Sequence, residues 1–391
     1  MLSNEQIAFI QQNSQANPTP LRLKYGKEKE FEIAQIEARQ KARTKLPSWG
    51  AEPRLIFPPA VSVEQSSSEA TASYKAGIMR QTASKTIVDG TGGMGIDSYY
   101  FSKYFESVTY IEQNEKLVER ARHNFDILNT TNIECICDDS LAFLERLKAK
   151  VDWIYLDPAR RTADQRRVVG LGDCEPDVTQ HLALFLEKAH HILVKVSPLL
   201  DLTQTLLEVP QITTVHVVAV ENECKELLLE IGTNTSDVVI KTINFKNDDS
   251  QQTFDFYRSE EPNAAVVFST PLRYIYEPNA AILKAGAFKT VATKFQIAKI
   301  APHSHLYTSE SLVRQFPGRT FELIATVKAD NKSLTPYLTN EKANLTLRNF
   351  PGTTDELRKK LKLKDGGDVY LLATTLANAD KRLLVCRKVK D

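Results

Sequence analysis

The sequence predicts an α/β protein: a mostly parallel sheet with helices on both faces, a helical N-terminal segment before it and a small α+β region after it. Three observations carry this. Between Thr86 and Val196 short apolar runs alternate with helical periodicity, the rhythm of βαβ units. A glycine cluster, Gly90–Gly95, follows the first run, where such a sheet turns into its first helix. The runs Thr214–Val220 and Glu223–Ile231 are separated only by Glu221-Asn222. That gap is too short for a crossover helix, so the two runs pair antiparallel and the sheet ends in a hairpin.

Taken in order, residues 1–75 read as helical and polar, with an amphipathic stretch at Lys27–Lys45 broken by Pro47, Pro53, Pro58 and Pro59. Ser66-Ser67-Ser68-Glu69 reads as a helix start leading into Ala70–Ile78. Strands are expected at Thr86–Gly90, Val108–Glu112, Ile133–Cys137, Val151–Leu156 and Ile192–Val196. The helices between them are Ile96–Phe105, Glu115–Leu128, Ser140–Lys148 and Val178–Ala189. Asn234–Ser269 reads as strands and connectors. Arg273–Thr308 forms a small unit with a helix near Asn279–Phe295. The remainder mixes strands with a basic helix at Thr354–Leu363.

Composition narrows the class. Hydrophobic residues make up 42% of the chain and charged residues 25%, a globular balance that excludes a largely disordered or collagen-like protein. At 391 residues, two to three domains are expected. No apolar run approaches the length of a membrane span, and the N-terminus lacks the pattern of a secretory signal. Five scattered cysteines without a CxxC pair predict reduced thiols and a cytoplasmic setting. The formal charge of +1 hides a split: from Pro271 onward 21 Lys and Arg face 11 Asp and Glu, a net +10, while the rest nets −9. Such asymmetry points to an anionic partner for the basic part, nucleic acid above all. An ordinary solvated surface is the plain alternative.

The strongest chemical signal is Val88-Asp89-Gly90-Thr91-Gly92-Gly93-Met94-Gly95-Ile96-Asp97. Glycines let the backbone turn and approach a ligand, and the helix that follows offers unpaired N–H groups. Gly90, Gly92 and Gly95 form a literal G-x-G-x-x-G, a dinucleotide fingerprint that is weak on its own. Glu112 closes the second strand about 20 residues after Asp89, the offset where a carboxylate takes ribose hydroxyls. Asp138 and Asp139 close the third strand, where a carboxylate accepts from an adenine amine. Asp157-Pro158-Ala159-Arg160-Arg161 closes the fourth, and Arg166 and Arg167 add charge to the loop after it. Lys195, before Ser197-Pro198, is placed near the same cleft. Cys174 is read as an inert thiol, and His303-Ser304-His305 as a weak metal signal; no metal is expected.

The stretch Lys85–Ile231 resembles class I S-adenosylmethionine-dependent methyltransferases, whose Rossmann-like sheet also ends in an antiparallel hairpin. The resemblance implies S-adenosyl-L-methionine as cofactor, held by Asp89, Gly90, Gly93, Gly95, Glu112 and Asp139. It implies that Asp157, Pro158 and Arg160 face the methyl acceptor. D-x-T-x-G-x-G-x-D is similar to ribosomal-RNA guanine-N2 enzymes. Ala159-Arg160 departs from the (N/D)-P-P-(aromatic) of amino-methyltransferases. A D-P-x-R also occurs in uracil-C5 enzymes, which need a cysteine nucleophile as well.

The whole chain resembles bacterial proteins of a type found in Bacteroidetes, with a THUMP-like C-terminal domain. The strings carrying this are Glu64–Thr71, Tyr276–Ile282, Phe316–Arg319, Arg348–Gly352 and Lys364–Gly367. The implied division is a helical segment at 1–75, a methyltransferase domain at 76–235 and a connector at 236–270. A ferredoxin-like unit at 271–313 and a THUMP-like domain at 314–391 follow. The implied activity is methylation of a base, at guanine N2 or another exocyclic amine, in structured tRNA or rRNA. An RNA-binding protein with a non-catalytic cofactor pocket and an NAD-dependent enzyme stay open as other readings.

Overall fold

The computed structural model describes residues 2–80, 83–160, 170–232 and 237–389, and the chain divides into two compact units. The first comprises residues 1–213 and 228–235, the second 214–227 and 236–391.

The first unit opens with six helices: α1 (Asn4–Gln12), α2 (Pro18–Tyr25), α3 (Glu30–Ala42), α4 (Pro47–Ala51), α5 (Ala60–Gln65) and α6 (Glu69–Arg80). Ser3 and Gln6 form a capping box at the start of α1, and Asn17 caps α2 with Pro18 in its first turn. The amphipathic stretch is α3, which buries Ile33 and Ile36 against Ile10 and Leu21. Its Arg39 donates to the carbonyls of Pro53 and Leu55 at 2.9 and 2.7 Å, and Gln35 exchanges two hydrogen bonds with Phe57. The prolines end the helix, but these polar side chains hold the extended segment onto it. Burial pulls the Arg39 guanidinium down to about 10, against the pull of Glu52.

The sheet of this unit contains β1 (Thr86–Asp89), β2 (Ser107–Glu112), β3 (Ile133–Cys137), β4 (Val151–Leu156) and β7 (Ala189–Val196). A two-residue pair, β5 (Ala159–Arg160) and β6 (Cys174–Glu175), lies between the last two in sequence. The order β3-β2-β1-β4-β7 is parallel throughout, as the βαβ rhythm requires. Helices α7 (Ile96–Phe101), α8 (Glu115–Ile127), α9 (Ser140–Arg146) and α10 (Val178–Lys188) connect the strands, and α11 (Leu202–Glu208) follows β7. Ile87, Val88, Ile154, Leu193 and Val194 are almost wholly buried, which explains why these strands read as continuous apolar runs.

The hairpin is β8 (Ile212–Val220) and β9 (Glu223–Ile231), joined by Glu221 and Asn222 at φ 51° and 61°. These are the positive angles of a tight two-residue turn. The hairpin is not the edge the sequence predicts. In the second unit β10 (Val239–Phe245) runs parallel to β8, and β11 (Gln251–Tyr257) pairs antiparallel with β10. Thr242 and Asn244 are buried polar residues in β10, and they disguise its apolar periodicity.

The rest of the second unit adds α12 (Glu260–Asn263), β12 (Tyr274–Pro278), α13 (Ala280–Ala285), α14 (Thr290–Phe295), β13 (Ala298–Lys299) and β14 (Tyr307–Ser309). It ends with β15 (Gly318–Lys328), α15 (Asn331–Leu334), β16 (Asn344–Arg348), α16 (Thr354–Lys360), β17 (Val369–Thr375) and β18 (Lys381–Lys388). The single helix expected near Asn279–Phe295 is two, because Gly286 ends the first at φ 76°. One seven-stranded sheet, β13-β14-β12-β15-β18-β17-β16, joins all seven strands from β12 onward. Three of the strings singled out in the sequence meet in it. Buried Glu277 is paired with Arg319 and Arg348, Asn279 caps α13, and a Cβ at Gly318 would stand 2.1 Å from the Glu277 carbonyl oxygen.

Candidate active site

The glycine loop is shaped by what lies beneath it. Tyr110 of β2 donates to the Gly93 carbonyl at 2.7 Å, and its ring fills the space a Cβ at Gly92 would need, 2.3 Å away. Gly95 combines φ 84° with a virtual Cβ 2.7 Å from Phe125 of α8. Only glycine satisfies either position.

Asp89 ends β1 behind this loop, 1% exposed. Its carboxylate accepts from the Ser98 hydroxyl at 2.5 Å and from the Thr91 N–H at 3.1 Å, tying both ends of the turn to the strand. Burial, helped by the negative charges of Asp97 and Asp157, pushes Asp89 up to about 7 against those hydrogen bonds. Thr91 also accepts from the Asp157 N–H at 2.6 Å, which joins the loop to the end of β4.

Around the loop the strand ends deliver carboxylates. Glu112 accepts from the Gly93 N–H at 3.0 Å and from the Asn114 N–H at 2.8 Å. Asp139 caps α9 by accepting from the Ala142 N–H at 2.8 Å, and takes the Gln113 amide at 2.6 Å. Asp138 is paired with Arg146, and Asp157 with Lys195 of β7.

One cavity of about 460 Å³ gathers Gly90, Gly93, Gly95, Glu112, Asp139 and Asp157 on its wall. The size is that of a cofactor site. Asp89 is placed beneath the loop rather than on that wall, where it sets the loop's shape, and Pro158 is buried. Arg160 pairs with Cys174 through the backbone in the β5–β6 ladder. Arg161, Arg166 and Arg167 lie outside the described residues.

Other predicted candidates take plainer roles. Cys174 is buried and donates to the Gly170 carbonyl. The His305 ring stacks on Phe288, with centroids 3.8 Å apart, and burial together with Lys299 pulls it down to about 4. Among the described residues no cluster of His, Cys, Asp or Glu is arranged to hold a metal, and no helix is long and apolar enough to cross a membrane.

Sequence reasoning missed one part of the cavity wall. Ser62, Gln65, Ser66 and Ser67 line it from the N-terminal helices, and Glu175-Pro176 adds to the side near Asp157. The Ser66-Ser67-Ser68 string was visible, but as a helix start; its place beside Gly90–Gly95 depends on packing across the unit.

In the second unit the basic stretch splits. Arg358 is paired with Asp355 and Asp365, and Lys364 with Glu341, while Lys359, Lys360 and Lys362 are exposed. A separate hollow is lined by Lys342, Arg387, Lys388, Tyr337 and Tyr370.

Residues 274–317 match a ferredoxin-like domain family and residues 318–388 a THUMP domain-like family. A "putative methyltransferase" from Porphyromonas gingivalis W83, known from a crystal structure, is 34% identical over the full length of both chains, with a TM-score of 0.87. Local likenesses include an rRNA methylase from Streptococcus thermophilus, 12% identical over 41% of this chain and 94% of that one, TM-score 0.31. Another is a Streptococcus mutans methyltransferase solved in complex with S-adenosylhomocysteine, 14% identical over 40% and 94%, TM-score 0.30. No curated protein matches the sequence.

Proposed function

The chain belongs to the methyltransferase family of the Porphyromonas gingivalis protein, and from that premise we propose that it transfers a methyl group from S-adenosylmethionine to an exocyclic amine of a base in structured RNA. The observation that carries this is the order of groups along one cavity: Asp139 at the end of β3, Glu112 at β2, the glycine loop at β1 and Asp157 after β4. A nucleoside with a charged arm fits that order. Asp139 offers an acceptor for an adenine amine, Glu112 an acceptor for ribose hydroxyls, and Gly93 leaves its side of the cavity without a side chain.

Bound there, S-adenosylmethionine supplies an electrophilic methyl on a sulfonium. The protein's part is orientation and charge. Asp157 accepts an N–H of the incoming amine and turns its lone pair toward the methyl, and Lys195 fixes that carboxylate from β7. The proton lost by the amine passes to Asp157 or to water. RNA as the acceptor rests on the THUMP-like match at 318–388 and the +10 charge from Pro271 onward. The exposed Lys359, Lys360 and Lys362 suit phosphate contacts.

Calorimetry with S-adenosylhomocysteine and with NAD tests the cofactor; binding of NAD alone reverses the reading. Mass mapping of modified nucleosides in RNA from a deletion strain tests the acceptor. One missing methylated base is expected, and an unchanged RNA profile removes RNA as the substrate.

A further inference from the structure

We propose that Glu175 makes the site selective for guanine, accepting the ring N1–H of the base while Asp157 accepts from the neighbouring N2 amine. This rests on the reading above, in which an exocyclic amine of an RNA base is the acceptor, and it names the base.

The β5–β6 ribbon places Glu175. Ala159 and Glu175 are cross-strand partners in it, and both line the cavity. Partners in an antiparallel pair project from one face, with Cα atoms about 4.5–5.5 Å apart. Cys174, the residue before Glu175, is buried on the other face. Only Pro158 separates Ala159 from Asp157. Asp157 and Glu175 therefore border the same end of the cavity, and Ala159, small and exposed, adds no bulk between them.

The ribbon leaves the end of β4, away from β2 and β3, whose Glu112 and Asp139 suit the ribose and adenine of the methyl donor. Asp157 is fixed there: Lys195 engages one of its oxygens, and Thr91 accepts its N–H at 2.6 Å. Glu175 is exposed on its two-residue strand, at the side an incoming base enters.

Base chemistry decides what two adjacent acceptors can hold. Guanine presents two donors in a row on its Watson–Crick edge, the ring N1–H and the N2 amine. Adenine has a bare lone pair at N1 beside its N6 amine, and cytosine has one at N3 beside its N4 amine. Asp157 alone would accept any of the three amines. A second carboxylate facing such a lone pair finds no donor and is repelled by it, which rejects adenine and cytosine. A carboxylate has about four acceptor directions, so bonds that Glu175 makes within the protein leave one for the base. The proton lost on methylation comes from N2, while N1–H stays on the ring. Glu175 therefore selects the base and takes no part in the transfer.

The test uses a base that keeps the amine and lacks the ring N–H. 2-Aminopurine carries guanine's N2 amine but has a lone pair at N1. The probes are synthetic RNAs of the mapped target sequence with guanine or 2-aminopurine at the methylated position, and methyl transfer is measured with the full chain. Wild-type kcat/KM should be at least tenfold higher for the guanine RNA. In Glu175→Gln, whose amide N–H donates to a lone pair at N1, kcat/KM for guanine should fall at least tenfold and the gap between the two RNAs should close to within threefold. S-adenosylhomocysteine affinity in the variant, read by calorimetry, should stay within twofold, which also shows that the variant folds. Equal transfer to both RNAs by the wild type, or an unchanged gap in the variant, overturns the inference. So does a missing methyl that maps to adenine N6 or cytosine N4, which leaves the amine reading standing. Loss of S-adenosylhomocysteine binding in a variant with wild-type Tm also overturns it, by assigning Glu175 to the cofactor. If the wild type methylates no base amine in RNA, the reading above falls and takes this with it.

Discussion

The cavity of the first unit and the basic surface of the second hold their charges in opposite ways. In the cavity four carboxylates have designated partners: Glu112 the loop N–H of Gly93, Asp139 the cap of α9 and Gln113, Asp157 Lys195, and Asp97 the buried Lys75. On α16 the lysines point into solvent, and only Arg358 is tied down. The first arrangement is preorganised and geometric, which suits a small rigid ligand and an oriented reaction. The second is a field, which suits a polyanion read through its phosphates. Single substitutions should therefore act sharply in the first region and gradually in the second.

Asp157→Ala should break the contrast most visibly. Methyl transfer to total RNA should drop by about 10²–10³-fold, the cost typical of removing one oriented polar group at a reaction centre. S-adenosylhomocysteine affinity, read by calorimetry, should stay nearly constant. Loss of cofactor binding in a folded variant assigns Asp157 to the cofactor, and retained activity points to an acceptor other than an amine.

Glu112→Ala comes next. It removes a charged acceptor from the ribose position and from the Gly93 N–H, so S-adenosylhomocysteine binding should weaken by about 2–4 kcal/mol. Glu112→Gln, which keeps one acceptor, should lose less. Unchanged affinity in both places Glu112 outside the ligand's reach.

How much of this was legible in the sequence differs between the regions for the same physical reason. The glycine loop and the acids at strand ends are local signals: Gly92 and Gly95 answer to Tyr110 and Phe125, and the acids fall where apolar runs stop. Asp89 was legible as a position but not in its role, because only the fold shows its carboxylate turned back onto Ser98 and Thr91. The wall of Ser62, Gln65 and Ser67 was not legible at all, since nothing local to Glu64–Thr71 encodes a lysine turn later locking Asp97. Strands are expected within Asn234–Ser269, but the pairing of β10 with β8 is not, because it depends on packing and not on a local pattern. On the basic half, composition gave the net charge, but sequence could not tell Arg358, already paired, from Lys359 and Lys360, which are exposed.

Asp89 offers a subtler test of the preorganised side. Its carboxyl ionises near 3.8 in an unfolded chain and near 7 in the fold. Below pH 4 it is neutral in both states and costs nothing. As pH rises from 4 to 7 the unfolded chain ionises while the fold resists, so this group's contribution to stability declines, then levels off above pH 7. Asp89→Asn removes that slope. The Tm of the wild type relative to the variant should therefore fall between pH 4 and pH 7, by several degrees in thermal melts. Parallel Tm curves across that range would mean Asp89 is ionised in the fold at ordinary cost.

The smallest expected effect is on the basic surface, where the contrast with the cavity is sharpened rather than broken. Lys359→Glu with Lys360→Glu replaces two exposed cations on α16, each worth roughly 1 kcal/mol or less as a surface contact, and adds repulsion. RNA affinity in filter binding should fall about tenfold, and S-adenosylhomocysteine affinity should not move. Counterion release makes the wild-type affinity fall steeply with salt, and losing two phosphate contacts should flatten that log–log slope by about 2. Adding Arg358→Glu should contribute less than either lysine, because its guanidinium already spends itself on Asp355 and Asp365. If the lysine variant binds as tightly as the wild type while reversal of Lys342, Arg387 and Lys388 abolishes binding, RNA uses the tyrosine-lined hollow instead of α16. If neither set matters, or binding ignores salt, the +10 of this half is only solvated charge.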